Sequence, residues 1–178
     1  FKIHPDNDAL IAEILARDPR GVALFFAASH ELLTQRFAGR LAESFARHGL
    51  DIHERAIFLR SNIPHPTYLK LNELCDVMID TVHWSGGNTS LDALASGLPV
   101  VTLPLDTMAS RQTGSLLSAI GREDWIADDV GAYVDAIVDV ARDEDGRRRW
   151  RAAARERMRP LTDARSFARE LTGALPRA

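Results

Sequence analysis

The residues best suited to handling a phosphate lie between Val77 and Pro104, in VMIDTVHWSGGNTSLDALASGLPVVTLP. An apolar run, Val77-Met78-Ile79, ends at Asp80, the pattern of a buried parallel strand and its carboxyl end. A turn of small and polar residues follows, from Ser85 through Gly86, Gly87, Asn88 and Thr89 to Ser90. A helix over Ser90 to Ala95, stopped by Gly97, and a strand over Pro99 to Leu103 complete a βαβ unit. Such a turn leaves backbone N–H groups free at a helix N-terminus, where an anion is stabilised. Gly86 and Gly87 let the backbone approach a ligand, and Asn88 and Thr89 add side-chain donors. The spacings of a Walker A loop and of a Gly-x-Gly-x-x-Gly fingerprint are absent, so Gly86-Gly87 reads equally as a tight turn. Asp92, one turn into the helix, either complements the helix dipole or binds the two hydroxyls of a ribose.

Other chemistry-bearing residues are more ambiguous. Lys2 stands at a strand end, as a solvated cation or as a compact charge for a ligand. Tyr68 is a half-buried helix aromatic or a platform for a base. The six histidines (His4, His30, His48, His53, His65 and His83) show no metal-ligand spacing, so no metal is assigned, and His83 is read as structural. No nucleophile elbow or Ser/His/Asp grouping is legible. Arg147-Arg148-Arg149 reads as the solvated face of a helix, and the sequon Asn88-Thr89-Ser90 as coincidence.

The elements that must position these residues alternate. His4-Pro5-Asp6-Asn7 reads as a turn carrying a helix N-cap, with Leu10, Ile11, Ile14 and Leu15 as the stripe of the helix behind it. Val22 to Phe26 and Ala56 to Leu59 read as strands, separated by a helix marked by Leu33, Phe37, Leu41 and Phe45. Ser61 to Pro66, with two prolines, is expected to be non-helical, and a helix bearing Tyr68, Leu71 and Leu74 follows it. Beyond the βαβ unit come a loop over Asp106 to Arg111 and a helix with Leu116, Leu117 and Ile120, closed by Gly121. Trp125-Ile126 is read as an edge strand, with helices over Val130 to Arg142, Glu144 to Met158 and Ser166 to Leu171. Short apolar strands between helices predict an α/β fold, a doubly wound, Rossmann-like parallel sheet in one domain over residues 1–178. Ligands in such sheets bind beyond the strands' carboxyl ends, so Lys2 and the loops 61–68, 85–92 and 106–111 should converge on one cleft.

Composition narrows the classes. A net charge of −3 over 178 residues gives no footprint for nucleic acid or an anionic membrane. One cysteine, Cys75, excludes an internal disulfide framework, and no apolar run approaches membrane-spanning length, which makes a cytoplasmic location the expectation. Only Lys2 and Lys70 of the 22 basic residues are lysines, a bias that suits a GC-rich bacterial genome. The chain opens on Phe1-Lys2-Ile3, as if a strand were already under way, so it is read as a piece of a longer protein.

The block from Asp80-Thr81 through Gly86-Gly87-Asn88-Thr89-Ser90-Leu91-Asp92 to Gly97-Leu98-Pro99 and Pro104 resembles the nucleotide-sugar loop of the O-GlcNAc transferase family. Phe1-Lys2-Ile3-His4-Pro5, Asn62-Ile63-Pro64-His65-Pro66, Asp76-Val77 and Ala109-Ser110-Arg111 follow in that family's order. The resemblance implies the carboxy-terminal, donor-binding half of a GT-B glycosyltransferase, normally preceded by a tetratricopeptide array and an amino-terminal Rossmann-like half. It implies that Lys2 contacts the donor diphosphate and stabilises the leaving group, that Thr89 donates to phosphate and that Asp92 holds the ribose. Ile63 and His65 would lie in the loop whose backbone reads the base edge, and Tyr68 beside the base, where the animal enzymes carry a histidine. Gly87-Asn88-Thr89 replaces those enzymes' His-Thr-Thr. The implied substrates are a nucleotide-sugar donor, UDP-GlcNAc or a related sugar, and a protein hydroxyl, with no metal and no cofactor. The catalytic base is expected on the other half, so that this chain alone would turn over little or nothing. Two alternatives share the pocket: another GT-B-like enzyme, such as a polysaccharide or lipid glycosyltransferase or a nucleotide-sugar epimerase, and a non-catalytic nucleotide-binding module.

Overall fold

The computed structural model describes residues 3–174, so Lys2 and the expected opening strand at Phe1-Lys2 lie outside the described residues. In chain order the elements are α1 (Asp6–Arg17), β1 (Ala23–Phe26), α2 (Glu31–Arg47), α3 (Ile52–Arg55), β2 (Ala56–Leu59), α4 (His65–Leu74) and β3 (Met78–Ile79). They continue with α5 (Asn88–Ala95), β4 (Val100–Val101), α6 (Gln112–Ala119), α7 (Val130–Arg142), α8 (Glu144–Arg157), α9 (Arg159–Thr162) and α10 (Ala164–Ala174). Short 3-10 turns occupy Met108–Ser110 and Glu123–Trp125.

All strand pairing is parallel. β1 runs beside β2 from Ala23 opposite Ala56 to Phe26 opposite Leu59. β3 runs beside β4, and the ladder extends one bond past each end, through Met78 N–H to Pro99 O and Asp80 N–H to Val101 O. Trp125-Ile126 supplies one parallel bridge, Thr102 to Ile126, in place of a full edge strand. Among the described residues, pairing is therefore confined to two short pairs and a bridge. The strand expected over Ala56 to Leu59 has those bounds, whereas those expected over Val22 to Phe26, Val77 to Ile79 and Pro99 to Leu103 are shorter than the apolar runs.

The apolar side chains form two cores, and α1 belongs to both. Leu10 and Ile14 join the larger core around β4, α5 and α7, where Val100, Val101, Tyr133 and Ile137 are wholly buried. Ile11, Ala12 and Leu15, one residue further round the helix, join Ala23, Leu41 and Phe45 in the smaller core. Two adjacent i, i+4 rows thus face two different cores. Arg55 closes the far end of α1, its guanidinium donating to Leu15 O and Asp18 O at 2.7 Å each and to Gly21 O at 2.8 Å.

Three local expectations are corrected. The turn His4-Pro5-Asp6-Asn7 places Pro5 at the N-cap position of α1, which therefore begins at Asp6 without a side-chain cap. Asn7 is buried and its Oδ1 accepts from Val82 N–H at 3.1 Å, pinning the start of the β3–α5 loop to α1. α4 begins at His65 and takes Pro66 into its first turn, where a missing N–H costs nothing because that donor has no intrahelical partner. Arg147 is not a solvated residue. Its side chain is 15% exposed, donates to the final carbonyls of α7 at Val140 and Ala141, and pairs with Asp76 at 2.8 Å.

Candidate functional site

A buried polar knot fixes the glycine turn. Asp80, at the end of β3, is 2% exposed. Its Oδ1 accepts from Gly86 N–H at 2.7 Å, and its Oδ2 accepts from Ser85 Oγ at 2.8 Å and Thr102 Oγ1 at 2.7 Å. Ser85 has one proton, and the carboxylate is its strongest available acceptor, so its oxygen is left to accept from Thr113 N–H at 2.9 Å. Thr113, at the start of α6, lies 2.8 Å from Ser90 Oγ and 3.0 Å from Gly86 O. The Tyr133 hydroxyl of α7 donates to the Asp80 carbonyl. Burial pushes the Asp80 carboxyl above its ordinary range, and the donors at Thr102, Gly86, Ser85 and Thr113 pull part of that shift back. Sequence reading placed Asp80 at a strand end but assigned it no task; a polar residue closing an apolar run was the available signal.

The turn delivers the N-terminus of α5, which carries no side-chain cap and no acidic residue in its first turn. Its leading N–H groups, at Asn88 and Thr89, therefore remain available to an anion. Gly86 is required by contact. A Cβ there would stand 2.2 Å from Ser90 Oγ and 2.8 Å from Thr89 Oγ1. At Gly87 the sole neighbour within 4 Å of such an atom is Gln112 Oε1, at 2.8 Å.

The residues singled out in the sequence line two clefts. The first, about 430 Å³, lies beyond the carboxyl ends of β1 and β2 and is lined by Phe26, Ser61, Asn62, Ile63, His65 and Tyr68. Asn62 takes the left-handed conformation with φ of 61°, tolerated by an Asn more readily than by most residues, and so reverses the chain before Ile63. Tyr68 meets Phe26 edge-to-face, with centroids 5.6 Å apart, and lies nearly parallel to His65. Burial, with the charge of Asp92 adding to it, pushes the Tyr68 phenol up, which keeps it neutral. The second cleft, about 780 Å³, is lined by Gly87, Asn88, Leu91, Met108, Arg111 and Gln112, among others.

One contact joins the two segments that the sequence singled out separately: His65 Nε2 lies 3.1 Å from Asp92 Oδ2. Ile63, His65 and Tyr68 line the first cleft, and Asp92 is joined to it through His65. Gly87 and Asn88 open onto the second, which the 106–111 loop also lines, so residues expected to share a single cleft are divided between two. Thr89 is exposed in the first turn of that helix.

The sequence model of glycosyl transferase family 41 matches residues 1–171. The chain belongs to that family. Family 41 relatives include the UDP-N-acetylglucosamine–peptide N-acetylglucosaminyltransferase of Caenorhabditis elegans, 35% identical over 150 residues that cover 82% of this chain and 12% of the worm protein. The probable enzyme of that name from Solanum lycopersicum, SPINDLY, is 29% identical over 106 residues, covering 58% of this chain and 11% of its own length. Among solved structures, a mutant O-GlcNAc transferase from Thermobaculum terrenum superposes with a TM-score of 0.85 at 32% identity, covering 97% of this chain and 33% of that one. The expected fold class is thereby established: a Rossmann-like α/β unit, the carboxy-terminal half of a GT-B glycosyltransferase. The chain spans about an eighth of the worm relative and a third of the solved structure. Among the described residues no helix is long and apolar enough to cross a membrane.

Proposed function

We propose that this family 41 chain is the donor-binding half of a cytoplasmic glycosyltransferase that moves N-acetylglucosamine from UDP-GlcNAc to a protein hydroxyl. The observation that carries the reading is the His65–Asp92 contact beside the uncapped start of α5. It supports a reading in which the Asp92 carboxylate holds the ribose hydroxyls, with the base on the His65 side and the phosphates at the start of α5. A nucleotide-sugar laid along α5 would place its base in the first cleft, against Tyr68 and the backbone at Ile63 and His65. Its ribose would meet Asp92, its diphosphate the N–H groups after Gly87, and its sugar the second cleft.

The reaction breaks the bond between the anomeric carbon and the phosphate oxygen, so negative charge grows on the leaving diphosphate. Donors fixed in advance at that charge lower the barrier, and losing one costs on the order of 100-fold in rate. Lys2, the N-terminus of α5 and Thr89 are the donors in this reading, with no metal at the phosphates. The acceptor hydroxyl is the substrate protein's, and in this reading the group that takes its proton lies on the amino-terminal GT-B half, in front of which the family carries its tetratricopeptide array.

Calorimetry of the chain with UDP, GDP and their sugars tests this. Expected is UDP binding that Asp92→Ala weakens at least tenfold, or about 1.4 kcal/mol. Preference for GDP would move the donor to another nucleotide. Absence of binding to either, by the chain and by the full-length protein alike, would refute the reading.

A further inference from the structure

A second constellation lies outside the donor clefts, where sequence spacing gave no hint of one. His4, just before α1, Asp6, the first residue of α1, and His83, in the β3–α5 loop, bring one ligand atom each within 4.8 Å of one another. His83 Nε2 stands 2.7 Å from Asp6 Oδ2, and His4 Nδ1 stands 3.4 Å from the same oxygen. The two imidazoles are 4.2 Å apart and inclined at 58°.

We propose that His4, Asp6 and His83 form a binding site for a divalent transition-metal ion of the zinc class. The donor set is two imidazoles and one carboxylate, the combination that borderline-soft cations take in preference to calcium or magnesium. Zinc bonds to nitrogen and carboxylate oxygen are about 2.0–2.2 Å, so neighbouring ligand atoms in a tetrahedron lie about 3.3–3.6 Å apart. The His4–Asp6 separation already matches that edge. The His83–Asp6 pair, at 2.7 Å, has the length of a hydrogen bond and must open by about 0.6–0.9 Å to reach that edge, which exposed side chains can do. Their side chains are 49%, 60% and 41% exposed for His4, Asp6 and His83, so an ion can enter and water can complete its shell. The ion pairs that Asp6 makes among the described residues are with these two histidines, so no Lys or Arg there competes for the position.

The ligands come from two segments 77 residues apart. A shared ion would cross-link the start of α1 to the loop that runs on to Gly86. This site involves neither cleft, and it stands or falls independently of nucleotide binding.

The probe is Zn²⁺ alone, titrated calorimetrically into the chelator-stripped chain, with Co²⁺ absorption reporting the ligand set. Expected is one equivalent bound by the wild type, with a raised melting temperature. His83→Ala and Asp6→Asn should each lower the affinity at least about tenfold, since even outer-shell changes at metal sites cost that much. His53→Ala, an exposed histidine on α3, should bind as wild type. All of these positions are exposed, and circular dichroism checks that each variant is folded; Asp6→Asn retains hydrogen bonding if His83→Ala does not fold. No uptake at large molar excess, or uptake undiminished by both substitutions, overturns the proposal.

Discussion

Replacing Asp80 by Asn is the most informative single perturbation, because it keeps the shape of the side chain and removes what the turn is tied to. The carboxylate accepts from Gly86 N–H, Ser85 and Thr102 at 2.7–2.8 Å. An Asn can keep its oxygen on Gly86, but its NH₂ then faces two hydroxyls that had both been donating. Hydrogen bonds to a charged group are worth about 1.5–3 kcal/mol each, so two lost bonds remove about 3–6 kcal/mol. Turning Thr102 to accept, and Ser85 toward Thr113, restores about 0.5–1.5 kcal/mol for each neutral bond. Removing a charge that burial disfavours returns more, leaving a net loss of about 1–3 kcal/mol. Urea unfolding with an unchanged slope should show the midpoint fall by that free energy divided by the slope. UDP affinity should fall with it, because the Gly86 N–H is no longer held by a charge. Thr102→Val removes one donor without touching the turn and should cost stability while leaving affinity nearly unchanged. The sign of the pH dependence is a second check. Since burial raises the folded carboxyl, the native state keeps a proton that the unfolded chain has released. The contribution of Asp80 to stability therefore falls as pH rises from the ordinary aspartate range to the raised folded value, and Asp80→Asn should abolish that slope. Stability and affinity both within about 0.5 kcal/mol of wild type, the noise of surface substitutions, would refute the assignment.

Gly86→Ala should eliminate measurable UDP binding, because its Cβ meets the buried Ser90 at 2.2 Å, whereas Gly87→Ala meets one movable amide and should cost less; calorimetry giving the reverse order would discredit the steric argument. Arg55→Met removes three charged hydrogen bonds to carbonyls at and just beyond the end of α1 (Asp18 O keeps its bond from Gly21 N–H) and should lower stability by about 2–3 kcal/mol in urea unfolding. Arg122 lies 3.2 Å from the centroid of Trp125 and also faces Trp150, so Arg122→Met should cost about 1–2 kcal/mol and change tryptophan emission.

The sequence made the order of elements legible because each strand is a short apolar run and each helix bears a 3.6-residue stripe. Val130–Arg142 matched its helix at both ends, and the helix expected from Ser90 starts two residues earlier, at Asn88. Less legible were features decided by partners distant in sequence. His4 to Asn7 reads as a capping turn until Val82 is seen to need Asn7 as its acceptor, and Arg147 looks solvated until Asp76 and the end of α7 arrive beside it. The 2.0-residue and 3.6-residue periods report which face is buried, not which strand lies alongside, so the division into two parallel pairs was invisible. The same limit hid the meeting of His4 with His83: ligand spacing along a chain detects only sites built locally. The two clefts went unseen because nothing in the letters says which of the loops at the strand ends will meet and which will stay apart.

α1 carries a consequence of its own. Its Leu10 and Ile14 belong to one apolar core and its Ile11, Ala12 and Leu15 to the other, so this single helix acts as a rivet between two separately filled bodies. Phe26 stands on the strand pair of the smaller body, and Tyr68 leans on it from α4, while Asp92 sits on a helix of the larger. Anything gripped by all three spans the joint and works as a splint beside the rivet. Thinning the rivet, as with Ile11→Ala, should therefore be felt as a misaligned grip before either body melts.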